Sequence, residues 1–311
     1  MKRLGAICGL LGALLAVAAG CDDLGLFAGR TETGEDTRTL GVITLHAAST
    51  LDPQGTLGPA SGSAERFTVE ARFVRFDLPF ESEVREVLGL ADLDALPPND
   101  ECVATLRPAA PAPSFEPAAP AGSGVELLDV GRILVRGAGA EQTLAVRTFP
   151  DLLDVMSGVT YGGASDIPYQ PGRRYDVRGD SDRTPWVSVN APPGWDDLRV
   201  NGTAVRDGLV GTFDPQPQLD VRWIPWSDRS SDVVAVLFWT GPGGSPQSIV
   251  CHPADDGVFA LPETTLAQLP VAPDLAGLTL RMERVVRVSF PLDRLDEAEA
   301  VFRVSLTTPV R

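Results

Sequence analysis

Phe67-Thr68-Val69-Glu70-Ala71-Arg72-Phe73 decides the fold. Phe67, Val69, Ala71 and Phe73 alternate with Thr68, Glu70 and Arg72, the period of two expected of a strand with one face against a core. The same grammar recurs on both sides. Residues 40–46, 102–106, 132–136 and 143–149 read as strands in the first half of the chain. Residues 175–178, 186–190, 219–224, 233–239, 247–251, 258–261, 278–290 and 300–307 read as strands in the second. The runs are short, and the turn residues between them are spaced as in sandwiches and barrels. Asp256-Gly257 and Asn201-Gly202 sit where hairpins with positive φ are expected, and Gly137-Ala138-Gly139 separates two strands of similar length. The 27 prolines disfavour long helices. A helix is expected over 82–96, loosened by Gly89, and a shorter one over 262–269 with proline first. The fold class is all-β.

The N-terminal residues address the compartment. Lys2 and Arg3 precede an uncharged, mostly apolar run from Leu4 to Ala19, the length of a signal-peptide core. The run is shorter than the ~20 residues a spanning helix needs. Ala18, Ala19 and Gly20 are small and Cys21 follows at once, which resembles the lipobox of bacterial lipoproteins. That resemblance implies cleavage before Cys21 and a diacylglycerol thioether on its sulfur, the kind of multiple acylation that anchors stably. Asp22-Asp23 resembles an inner-membrane retention signal in enteric bacteria, a rule that does not extend to all bacteria, so inner and outer membrane both stay open. The reading is a signal peptide over 1–20, then the lipidated Cys21 and a polar tether over 21–37.

Charge excludes several functions. The chain carries 42 acidic against 26 basic residues, net −16, and loss of the leader removes two of the positive charges. Such a surface repels phosphate backbones, so no nucleic-acid partner is expected, and it repels anionic headgroups, so the acyl chains must hold the protein to its membrane. Lys2 is the sole lysine. A mature chain without lysine has no P-loop lysine, no Schiff base and no Ser-x-x-Lys nucleophile.

Cys102 and Cys251 remain beside Cys21, and in an oxidising envelope they are expected to form one disulfide. Residues 108–124, rich in alternating Pro and Ala, read as an extended loop. Ala191-Pro192-Pro193-Gly194 is the best boundary, dividing a first β domain at 38–191 from a second at 195–311. A single two-sheet unit is the alternative, and a Cys102–Cys251 bond would join the halves.

Further elements carry a family resemblance: Leu128-Asp129-Val130-Gly131, Tyr169-Gln170-Pro171-Gly172, Tyr175-Asp176-Val177 and Val189-Asn190-Ala191-Pro192. Leu219-Asp220-Val221-Arg222-Trp223 follows, then Cys251 with Asp255-Asp256-Gly257, Leu261-Pro262 and Leu269-Pro270. This order, over roughly residues 100–311, resembles uncharacterised Cys-anchored lipoproteins of GC-rich Gram-negative bacteria. The resemblance implies immunoglobulin-like β-sandwich architecture, and supplies no activity or catalytic residue.

Candidate chemistry is sparse. A Ser–His–acid triad has only His46 or His252 to use, no Gly-x-Ser-x-Gly elbow is present, and both histidines read as ordinary surface or turn residues. Cys102, Cys251, His46 and His252 match a tetrahedral zinc site in number but not in spacing. Asp180 with Asp182, and Asp255 with Asp256, offer oxygen donors of the type calcium takes, yet neither stretch is an EF-hand and Asp in turns ordinarily bonds local amides. No metal and no cofactor is assigned. Arg178-Gly179-Asp180-Ser181 matches an integrin-type tripeptide and Asn201-Gly202-Thr203 a glycosylation acceptor, and both read as turns. Trp223 continues the alternation of Leu219 and Val221 and belongs to the core, Trp186 and Trp195 bracket the boundary, and Trp226, after Pro225, is the candidate exposed binding aromatic. The expected function is a non-catalytic envelope lipoprotein acting as a binding or structural module, with another envelope protein or a polysaccharide as partner. The alternatives are a carboxylate-based glycan hydrolase and a purely architectural spacer.

Overall fold

The computed structural model describes residues 37–50, 66–105, 125–149, 158–205, 219–227, 231–240, 246–261, 263–267 and 278–309. The expected signal peptide 1–20, Cys21, residues 22–36 of the expected tether and the loop expected over 108–124 lie outside the described residues. From Arg38 to Arg311 the chain forms one compact unit.

In chain order the strands are β1 (Thr37–Thr50), β2 (Arg66–Asp77), β3 (Cys102–Thr105), β4 (Glu126–Leu127), β5 (Ile133–Gly137) and β6 (Ala140–Thr143). There follow β7 (Val146–Phe149), β8 (Gly158–Ala164), β9 (Arg174–Gly179), β10 (Val187–Asn190), β11 (Arg199–Val200) and β12 (Thr203–Ala204). The last are β13 (Asp220–Arg222), β14 (Ser231–Thr240), β15 (Pro246–Cys251), β16 (Val258–Ala260), β17 (Thr279–Ser289) and β18 (Glu297–Pro309). Short helices α1 (Glu81–Val87), α2 (Ala91–Asp94) and α3 (Glu263–Leu266) interrupt them. Each strand expected from the sequence overlaps an observed one.

The main sheet has ten strands, in the order β3-β15-β14-β17-β18-β1-β2-β8-β7, with β4 added beside β2. Two four-stranded sheets, β10-β9-β5-β6 and β12-β11-β13-β16, pack on one face of it. The protein is thus an all-β sandwich. Its interior takes alternate residues from each strand: Ile43, Leu45 and Ala47 of β1, Phe67, Val69, Ala71 and Phe73 of β2, and Phe302 and Val304 of β18. Tyr175 of β9 meets Phe67 at 5.3 Å and Phe302 at 5.4 Å between ring centroids, which joins the layers through tilted and edge-on aromatic contacts. The opposite parity, Leu40, Val42, Val74, Phe76, Val285 and Val301, faces the other way and is covered at one end by Val84, Leu88, Leu90 and Leu93 of a small helical cap.

The boundary expected near 191–195 does not separate domains. β1 pairs with β18 in parallel, and β3 pairs with β15, so strands from both halves share one sheet. Pro192 and Pro193 break local pairing without interrupting the core, because Ala191 and Trp195 are both buried within it.

Two turns behave as their residues dictate. Gly137 pairs with Ala140 across a two-residue hairpin, and Val200 pairs with Thr203 across Asn201-Gly202. Asp256-Gly257 is different: β15 stays in the main sheet while β16 leaves to pair with β13, so the expected hairpin is a crossing between sheets. The helix expected over 82–96 is two helices. Gly89, at φ +72°, ends α1 in a left-handed turn, with Leu90 N–H donating to Arg85 O and Gly89 N–H to Glu86 O. That bond pair is the Schellman stop, and it needs a residue without Cβ strain.

β8 offers only a three-residue β-forming run, Val159-Thr160-Tyr161, because the glycines around it carry no β propensity. At Gly158, φ is +124° and a Cβ would lie 2.0 Å from Leu127 O. Gly158→Ala is therefore expected to destabilise by about 2 kcal/mol or more. Urea denaturation checks this, and an unchanged midpoint would count against the close packing of β4 on β8.

Candidate functional site

The face of the main sheet opposite the sandwich interior changes character along its length. Beneath the cap it is apolar. Beyond the cap the same parity carries Thr44 and His46 of β1, Glu70 and Arg72 of β2, Arg303 and Ser305 of β18, and Arg281 and Glu283 of β17. The ladders set these side by side: His46 is opposite Arg303, Ser305 opposite both Ala48 and Glu283, and Arg281 opposite Thr307.

His46 Nε2 and Ser305 Oγ are 2.9 Å apart. Glu283 lies 2.9 Å from Arg281 Nε and 3.5 Å from Arg303 Nη1. The first contact is close without hydrogen-bond alignment, which leaves Arg281 Nε a buried donor with no hydrogen-bond partner. Burial pushes the Glu283 carboxyl up, but Arg281, Arg303 and His46 together outweigh it and hold it below its ordinary value. Burial pushes His46 down, Glu283 opposes, and Arg303 and Arg281 reinforce. Near neutrality the cluster holds a neutral imidazole beside an ionised carboxylate. The expectation that His46 is a surface or turn residue fails, since it sits mid-strand among charges.

A serine on a histidine with a carboxylate nearby has the composition of a nucleophilic triad. Its geometry does not serve that chemistry. Ser305 is 5% exposed and in register with strands on both sides, so its backbone is committed to ladders rather than offered as an oxyanion hole. No strained elbow lifts the hydroxyl out of the pleat. Beside this cluster a cavity of about 20 Å³ is lined by Val42, Thr44, Glu70, Arg72 and Leu88. That is room for about one water. Burial pushes the Glu70 carboxyl up to about 7, against the pull of Arg72 and Arg147.

A second buried charge lies inside the sandwich. Arg284 of β17 points inward between Met282 and Val286 and is 1% exposed. Its Nε and Nη2 donate to the two Asp255 oxygens at 3.1 Å each, Nη1 to Pro193 O at 3.1 Å and Nη2 to Ile224 O at 2.9 Å. The guanidinium also stacks 4.7 Å from the Trp195 ring centroid. Trp223 Nε1 donates to Asp255 Oδ1 at 2.7 Å and Ser231 Oγ to Oδ2 at 3.3 Å. The centre ties the 191–195 segment and the β13 end to the main sheet. The sequence carries a signal for it: Arg284 is a charge on the inward parity of an apolar strand.

The remaining expected residues fall as follows. Cys102 and Cys251 form the disulfide, directly opposite each other on β3 and β15. His252 is half-buried, its Nδ1 2.8 Å from Pro97 O and its Nε2 3.3 Å from Asp232. Asp255 serves Arg284, Asp256 accepts from Val258 N–H, Asp182 accepts from Trp186 Nε1, and Asp180 faces Arg132. Among the described residues no three His, Cys, Asp or Glu side chains converge. Trp226 is half-buried and packs against the core, so it is not a freely exposed ring. Close to it in sequence Ile224 is 63% exposed, and Val258 on the neighbouring edge strand β16 is 45% exposed. Cys21 lies outside the described residues.

No protein-family model matches this chain, and no curated protein matches it.

Proposed function

We propose that the protein is a non-catalytic module of the bacterial cell envelope, anchored through lipidated Cys21 and acting by binding or structural contact with another envelope protein or a polysaccharide. The observation that carries the non-catalytic reading is the closure of the His46–Ser305–Glu283 cluster: its hydroxyl is buried in the pleat and its carboxylate is held by two arginines. The cavity beside it has room for a water, not for a substrate. The Cys102–Cys251 bond suits an oxidising compartment, as does the leader-like N-terminus. Binding then falls to the surface, where Ile224, two residues before half-buried Trp226, and Val258 present apolar area.

The test is metabolic labelling with a palmitate analogue in a Gram-negative host, with the N-terminal peptide mass measured after membrane extraction. A diacylglyceryl mass on Cys21, lost together with membrane retention in Cys21→Ala, is the expected result. An unlabelled, freely soluble wild-type protein that keeps residues 1–20 would refute the anchor. Turnover of glycan or ester substrates that disappears in Ser305→Ala would refute the non-catalytic reading.

A further inference from the structure

We infer that Arg72 and Arg303 latch the α1–α2 cap onto the sheet, and that a proton on Glu70, in the cavity beneath the latch, keeps it closed while loss of that proton loosens it.

The latch is built from the end of α1. The Schellman turn exposes carbonyls that the helix cannot satisfy. Arg72 Nη1 donates to Val87 O at 2.7 Å and Arg303 Nη2 to Gly89 O at 2.7 Å. The far side of the cap is held independently. Arg85 contacts Glu81, Asp94 and Glu297, and Arg287 contacts Asp94 and Glu299.

Arg72 faces both the cap and Glu70. Its Nη1 holds Val87 O, while its Nη2 stands 4.0 Å from the Glu70 carboxyl. The groups facing Glu70 are Arg72 on its own strand, Val42 and Thr44 from β1, and Leu88 at the cap, with Arg147 of β7 acting at longer range. A protonated Glu70 makes no demand on the guanidinium. An ionised one is a poorly solvated anion that needs charge-assisted bonds. The nearest source is Arg72 Nη2, and closing the 4.0 Å gap to Glu70 draws on the same guanidinium whose Nη1 holds Val87 O, straining that bond. The cavity allows water to follow.

The carboxyl is pushed up to about 7 by burial, so the exchange falls near neutrality. The sign follows from proton binding: the closed cap holds the proton between the ordinary carboxylate range and about 7, so closure weakens as pH rises through that window. His46 acts the other way. Its lowered pKa means that it charges only at more acid pH, beside Arg303, and opposes the latch there.

Hydrogen–deuterium exchange of the full chain at pH 6 and pH 8, corrected for intrinsic exchange, tests this. If opening returns Glu70 to an ordinary carboxylate pKa, peptides within 78–96 should be roughly tenfold less protected at pH 8, levelling off above about pH 7. Peptides covering β9 and β10 should not change. Glu70→Gln should keep the cap protected at both pH values. The wild-type profile provides the check should that variant fold poorly. Equal protection at the two pH values in the wild type, or the same tenfold change in Glu70→Gln, would overturn the inference.

Discussion

Asp255→Ala is expected to cost about 3–5 kcal/mol, the loss typical when one partner of a buried ion pair is removed. The reason is what would remain. Arg284 would keep Pro193 O, Ile224 O and the Trp195 face, but its charge would have no anion in a site almost closed to water. Trp223 Nε1 and Ser231 Oγ would lose their acceptor as well. Guanidinium denaturation under non-reducing conditions measures the effect, which should appear as a lower midpoint with little change in slope. The double variant Asp255→Leu/Arg284→Met should recover part of the loss, because an apolar pair leaves no charge stranded. A single-variant loss under about 1 kcal/mol would show that the guanidinium is already solvated, and would remove this centre from the account of how the 191–195 segment is held.

Cys102→Ala/Cys251→Ala is expected to cost about 2–5 kcal/mol, with about 5 the chain-entropy limit for so long a loop. The bond spans 149 residues of sequence and ties edge strand β3 to β15. β3 has four residues, and its remaining hold near the bond includes His252 N–H to Glu101 O at 3.1 Å and Asp100 N–H to His252 O at 2.7 Å. Without the cross-link the edge should exchange amides faster than the sheet centre. Wild-type protein denatured with a reductant should fall on the variant's curve. If reduction leaves the wild-type curve where it was, the bond contributes nothing to stability, and its value lies elsewhere.

The alternation in 67–73 was legible because the pleat is a local property, and the same holds for the Asn201-Gly202 turn. β8 was not legible. What requires glycine at 158 is the approach of Leu127, which exists only after β4 has docked on β2. Asp256-Gly257 announced a turn truthfully, yet whether β16 returned beside β15 or crossed to β13 was a choice among distant partners. His46 and Ser305 are 259 residues apart, and only the parallel register of β1 on β18 brings them within 2.9 Å.

By itself, then, the sequence determined the strands, their inward parity, several turns, the acidic charge and the two cysteines available to pair, because each depends on composition or on neighbours a few residues away. The tertiary structure alone decided that the halves share one sheet, that Arg284 has an acid to meet, and that the triad-like residues close on themselves. Those outcomes depend on which strands pair, and pairing is settled by burying one face of the main sheet and the capped end of the other at once, a condition no local stretch of chain can state.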